Sequence, residues 1–390
     1  MILRGARVAL GAEETAALDI EICSGKIQSI RKPTRPDKGS DVLDLEGHLI
    51  LPGLINAHDH LEFNLYPRLG KGPYPNAGAW ARAVYRPKKS PIAEHLRVPK
   101  NTRLLWGGLK NLLSGVTTVC HHNPRENPVF DGNFPVRVLK QFGWAHSLEF
   151  SRDVALRFEL TPPDWPFILH LGEGTDDQAK REVFDLDEMD ALDSRTVLTH
   201  AVGLNKRGLK LVKDRGASLI WCPSSNLFLL GRTLKAGTLR SGIPVALGSD
   251  SALTGEGDLL DEIRVARRVS RLPSSVIYRM VTEEAASILR LRGGAGSLAP
   301  GGGADLIAIP DTGRSPSEAL MRMKSPALVM IAGEIKLIAP ELPRRASGRQ
   351  RLNVEGRGDV LVCANVASLY RQAKQALGGE VRLAGRRVLA

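Results

Sequence analysis

The chain has 390 residues, 43% hydrophobic and 25% charged, with 39 glycines and a net charge of +12 from 54 Lys+Arg against 42 Asp+Glu. That balance excludes a disordered or fibrous chain, and no apolar run approaches the ~18 residues of a membrane span. The basic residues are scattered without an aromatic-interleaved stripe, so the charge reads as a solvated surface, and neither nucleic acid nor membrane is an expected partner.

The first residues, Met1 to Arg7, show no long apolar stretch behind a basic one, so no signal peptide is expected. Cys23, Cys120, Cys222 and Cys363 lie far apart with no Cys-x-x-Cys pair, which reads as reduced thiols in the cytoplasm and removes cysteine as a source of metal ligands. Residues 1–50 read as short strands at 2–8, 17–23, 26–30, 42–45 and 48–51, with a tight turn at Ser24-Gly25. Such a unit is too small to carry a core alone. The stretches 296–309 and 327–337 also read as strands with Gly-rich turns. The two ends are therefore expected to form one β domain, 1–50 plus 296–345, with 51–295 inserted between them. Residues 346–390 read as a C-terminal strand and helix extension, the helix spanning 365–377.

The inserted middle alternates apolar runs with helical patterns, the sign of βα units around a parallel sheet. Candidate strands lie at 54–57, 117–120, 136–138, 144–150, 167–171, 196–199, 218–221 and 245–247, with helices at 102–113, 182–192, 206–215 and 259–270. That count approaches the eight units of a closed barrel. No helix fits between Val138 and Trp144, so the third and fourth units are expected to be abbreviated. Residues 66–101, rich in Pro, Gly and basic residues, read as a long loop, either over the barrel mouth or as a plain surface excursion.

Metal-type residues gather at the ends of these runs. In Leu51-Pro-Gly-Leu-Ile-Asn-Ala-His-Asp-His60 the two histidines are one residue apart and share a strand face. Two neutral imidazoles there suit zinc or another borderline divalent ion, although His-x-His alone is weak. His170 ends the run 167–171 with Glu173 just beyond, His200 ends 196–199, and Asp250 follows 245–247. Each alone could be a satisfied core histidine or a turn aspartate. Three in order after His-x-His, each at the strand end where barrel enzymes place their chemistry, point to one site.

Together the motifs Pro52-Gly-Leu-Ile-Asn-Ala-His-Asp-His60, Gly115-Val-Thr-Thr-Val119, His170-Leu-Gly-Glu173, His200-Ala-Val-Gly-Leu204, Trp221-Cys-Pro-Ser-Ser-Asn226, Leu247-Gly-Ser-Asp-Ser251 and Leu298-Ala-Pro-Gly-Gly-Gly-Ala-Asp-Leu306 resemble the amidohydrolase superfamily. The resembling branch holds cytosine, guanine and adenosylhomocysteine deaminases and triazine hydrolases. The resemblance implies an α/β fold, a distorted TIM (β/α)8 barrel with a small composite β-sandwich from both chain ends. It implies His58, His60, His170 and Asp250 as ligands of one divalent metal, zinc first with iron or manganese as alternatives. One ion is expected because no carboxylated lysine is apparent on the fourth strand. Glu173 would shuttle protons, His200 would orient the water or the developing oxyanion, and Asp250 would also accept the proton of the attacking water. The expected activity is a metal-dependent hydrolase of non-peptide carbon–nitrogen bonds, deaminating or hydrolysing a small aminated heterocycle or amide. Asn64 and His122 are the expected substrate-binding residues, with Tyr66, Arg68 and His121 nearby. A homodimer is a family-level expectation. The chain departs from the family at Cys120-His121-His122. A catalytically inactive scaffold is the competing reading, against which the complete residue set argues; a Ser-His-Asp hydrolase lacks a Gly-x-Ser-x-Gly elbow.

Overall fold

The computed structural model describes residues 1–33, 39–342 and 348–389. Eight short strands position the chemistry: β1 Leu54–Asp59, β2 Val116–His121, β3 Arg137–Val138, β4 Gly143–Trp144, β5 Phe167–Leu171, β6 Thr196–His200, β7 Ser218–Trp221 and β8 Val245–Leu247. They pair as two all-parallel runs, β3-β2-β1 and β4-β5-β6-β7-β8. The period of two sorts their side chains. Ile168, Val197, Ile220 and Ala246 face an interior cluster with Ile55, Ala57 and Cys120. Leu169, Leu171, Leu198, Leu219 and Leu247 face the surrounding helices. A fully buried Leu is worth roughly 1.5–3 kcal/mol, so a one-residue slip of any strand would be costly.

The distortions of this TIM-type barrel fall at its two seams. The third and fourth units are abbreviated as expected: β3 and β4 have two residues each with no helix between them. The expected strand 144–150 stops at Trp144, because Ser147 and Ser151 turn the chain; the Ser151 N–H donates to the Ser147 carbonyl at 3.0 Å. At the β8/β1 seam the segment 280–281 stands between the strands: the Ile55 and Leu247 N–H groups donate to the carbonyls of Val281 and Met280. At their ends the strands meet through one backbone bond, Asp250 N–H to the His58 carbonyl at 3.0 Å.

Both chain ends build the β-sandwich. Ile2–Arg4, Asp19–Cys23, Lys26–Arg31 and Val42–Asp44 form a four-stranded sheet. A ten-stranded sheet holds His48–Pro52 antiparallel to Leu306–Pro310 and continues through Leu328–Ile331 and Glu334–Ile338. Leu3, Ile20, Ile27, Leu43, Ile50, Leu306, Leu328 and Met330 form their shared core. The C-terminal strands Gln350–Val354, Gly358–Val362 and Arg386–Leu389 extend that same sheet, and the helix Val366–Leu377 packs on the barrel helix Lys100–Leu113. The expected division between residues 345 and 346 lies outside the described residues.

Residues 66–101 carry two short helices, Ala77–Val84 and Ile92–Arg97. Backbone bonds strap the segment across the mouth: Leu69 to Leu253, Tyr74 to Leu229, Ala77 to Glu173 and Thr175 to Pro75, at 2.7–2.9 Å. Among the described residues no helix is long and apolar enough to cross a membrane.

Candidate metal centre

The end of β1 places His58 and His60 against His170 from β5. His170 Nε2 lies 3.2 Å from His58 Nε2 and 3.3 Å from His60 Nε2. Asp250, just past β8, puts Oδ1 3.9 Å from the Nε2 atoms of both His58 and His60. His58, His200 and Asp250 form a second, overlapping group. Nitrogen donors at ~2.0–2.1 Å from a tetrahedral zinc stand about 3.3–3.4 Å apart, so the spacing of the three imidazoles suits such an ion. His200 and Asp250 both hold positive φ, 75° and 51°, in the region that costs a non-glycine residue energy.

Each imidazole is held so that Nε2 faces inward. His60 Nδ1 donates to Asn123 Oδ1 at 3.1 Å, His170 Nδ1 to the His146 carbonyl at 2.7 Å, and His200 Nδ1 to Asn226 Oδ1 at 2.8 Å. His58 differs, because its Nδ1 partner is another ring nitrogen, His122 Nδ1, at 3.2 Å. His122 Nε2–H donates to the Ala145 carbonyl at 2.9 Å, so His122 Nδ1 is free to accept from His58. These partners assign every inward Nε2 a lone pair, the form a metal takes. Burial, reinforced by neighbouring histidines, holds His58 and His170 well below the usual imidazole range; burial also lowers His200. Burial therefore favours the neutral form of these three rings.

The two carboxyls are pushed apart. Burial, with the Asp250 charge behind it, holds Glu173 well above the carboxylate range. Burial opposes ionisation of Asp250 as well, but His60 and His200, the Ser225 hydroxyl at 2.6 Å and the Ser251 N–H at 2.7 Å hold it below its usual value. Glu173 Oε1 sits 3.5 Å from His200 Nε2. Paired acids with opposite shifts are how one site keeps a proton donor beside a proton acceptor.

His58, His60, His170, Glu173, His200 and Asp250 therefore meet at one rim of the barrel. Asn64 lies behind this group, whereas His122 stacks on His170 with ring centroids 4.4 Å apart. Asn64 is fully buried behind β1, donating to Asp59 Oδ1 at 2.9 Å, and His122 backs His58. Tyr66 stacks on His95, Arg68 lies over the Phe228 ring, and His121 Nε2 lies 3.5 Å from Glu62 Oε2. A small cavity on the His170 and Glu173 side of the group is lined by Asn76, His146, Phe150, His170, Glu173 and Glu182 among others. His146 was not singled out in the sequence, where it sits inside the apolar run 144–150; its ring centroid is 4.8 Å from that of His170. Ser225 and Asn226 stand in a quoted motif, yet nothing in the sequence ties them to Asp250 and His200.

A sequence profile described as the amidohydrolase family matches residues 167–336. A 5-methylthioadenosine/S-adenosylhomocysteine deaminase 2 of Archaeoglobus fulgidus is 33% identical over 338 residues, covering 72% of this chain and 78% of the relative. A 5-methylthioadenosine/S-adenosylhomocysteine deaminase of Syntrophobacter fumaroxidans is 25% identical over 361 residues, covering 74% and 79%. Among solved structures, atrazine chlorohydrolase from Arthrobacter aurescens complexed with zinc superimposes with a TM-score of 0.70 at 18% identity, covering 96% of this chain and 99% of that one. An adenosine deaminase from Xanthomonas campestris with bound zinc gives 0.64 at 17% identity, covering 96% and 97%.

Proposed function

The chain belongs to the amidohydrolase family, and from that premise we propose that it deaminates a small aminated heterocycle. It is a metal-dependent hydrolase of non-peptide carbon–nitrogen bonds. The observation that carries the finer reading is the opposed pair of carboxyls beside three inward-facing imidazoles.

His58, His60, His170 and Asp250 would hold the ion, with zinc the first candidate. When bound, such an ion supplies Lewis acidity and lowers the pKa of a water from 15.7 toward ~7. Asp250, ionised, accepts the proton that the attacking water gives up. Glu173, kept protonated by burial, donates to the ring nitrogen or to the departing amine. His200 presents a lone pair at Nε2, so in this tautomer it orients the water by accepting a hydrogen bond. The strap 66–101 keeps bulk water from the reacting carbon. Relatives named as deaminases of adenine-bearing nucleosides support an amino-substituted purine as the first substrate class to try. The four cysteines are free, two of them buried, which supports a reducing compartment.

Glu173→Gln should cut kcat by roughly 10²–10⁴-fold while the metal content of the purified protein stays unchanged. Ammonia release across aminated purines, pyrimidines, pterins and triazines reads the substrate. Wild-type turnover in the Gln variant would remove Glu173 from the chemistry, and release of no ammonia from any of them would end the deaminase reading.

A further inference from the structure

The proposed ligands come from two sides of a seam. His58 and His60 end the first strand of the barrel and Asp250 follows the last, and the ends of these strands share one backbone bond. A side chain from the neighbouring helix reaches both sides. Lys110, on the helix Lys100–Leu113, is 2% exposed. On the first side its Nζ lies 3.0 Å from Asp59 Oδ2 and donates to Asn64 Oδ1 at 2.9 Å. On the other it donates to Ser249 Oγ at 3.0 Å and to the Asp250 carbonyl at 3.1 Å.

Asp59 stands between the two histidines, and its side chain points away from them. It is fully buried, and Asn64 and Asn111 amides donate to its two oxygens at 2.9 and 2.7 Å. Asn56 extends the network, donating to Ser249 Oγ at 2.8 Å and accepting from the Ser249 N–H at 3.0 Å. The helix is brought close enough by Gly107, where a Cβ would stand 2.2 Å from the Leu61 carbonyl oxygen. A buried ion pair is a poor way to gain stability, since packed apolar residues of equal volume often do as well. Its value lies in geometry: one rigidly held ammonium fixes the distance between the two parts of a ligand set.

We propose that Lys110 and Asp59 form a positioning clamp that holds Asp250 against His58 and His60 and so sets the affinity of the metal site. The proposal rests on the ligand assignment above and deepens it. Lys110 touches no ligand donor atom. It acts through the Asp250 backbone, the Ser249 hydroxyl and Asp59. The pair also brings no net charge beside a divalent cation, because Asp59 neutralises the ammonium.

The test is zinc affinity by chelator competition, with apo-protein melting measured in parallel. Lys110→Met should lower zinc affinity about 10–100-fold, the range for outer-shell partners, and lower the apo melting temperature because Asp59 is left unpaired. The double variant Asp59→Asn with Lys110→Met removes both charges. It should regain melting temperature while zinc affinity stays low. Recovery of zinc affinity along with stability would reduce the pair to a structural role and overturn the proposal. Ser249→Ala leaves the ion pair intact and serves if Lys110→Met does not fold: affinity should fall several-fold with melting unchanged, and wild-type affinity would also overturn it. Failure of the wild-type protein to bind zinc would instead refute the ligand set itself.

Discussion

At the scale of single residues, the site depends on which ring nitrogen carries a proton. His122 accepts from His58 only because its own Nε2–H is taken by the Ala145 carbonyl. His122→Leu removes that acceptor, so His58 loses the partner that directs its lone pair inward. Metal affinity should fall roughly 10–100-fold in chelator competition, while KM of the metal-saturated enzyme holds. A raised KM with unchanged metal affinity would return His122 to the role of substrate contact expected from sequence. The ligands themselves were legible because each closes an apolar run. Lys110 was not, and Asn64 reads as a substrate contact. A lysine in a helix reads as solvated, and only the fold shows both side chains buried against Asp59.

At the scale of elements, the eight strands were readable to within a residue or two where the apolar run was long, as in β5 and β6. The fourth was overread. Trp144 to Phe150 is apolar enough for a strand, but Ser147 and Ser151 offer hydroxyls that turn the backbone, and His146 is thereby delivered to the cavity. The long segment 66–101 was read as a loop, and its two short helices went unseen between prolines. The helix Lys100–Leu113 shows how packing overrides propensity. Alanine is worth up to ~1 kcal/mol more than glycine inside a helix, yet Gly107 sits against the Leu61 carbonyl. Gly107→Ala should therefore destabilise the protein by roughly 1–3 kcal/mol, as overpacking does, measured by urea unfolding. A more stable variant would mean that the helix is free to move off the first strand.

At the scale of the whole molecule, the composite sandwich was legible because strand-like runs and Gly-rich turns flank the barrel at both ends. What sequence could not show is how the last fifty residues are anchored. Arg357 is buried and pairs with Asp258 at 2.6 Å and Asp261 at 3.0 Å, on or beside the barrel helix Leu259–Ser270, and Arg386 reaches Asp261 at 2.8 Å. Nothing in the spacing of these charges along the chain announces a meeting between residues so far apart. Arg357→Met strands the Asp258 carboxylate out of water, so it should cost about 3–5 kcal/mol, the range for breaking a buried pair. Denaturant unfolding checks this, and a loss under ~1 kcal/mol, the scale of a solvent-exposed pair, would show that the anchor lies elsewhere.

The strand His48–Pro52 has its antiparallel partner at Leu306–Pro310. During synthesis the early strand leaves the ribosome roughly 250 residues before the later one. At ~5–20 residues per second that is a wait of about 10–50 s, in which Leu49, Ile50 and Leu51 lack the partner strand Leu306–Pro310. The nascent chain must therefore complete most of its barrel while its opening sheet stands half built.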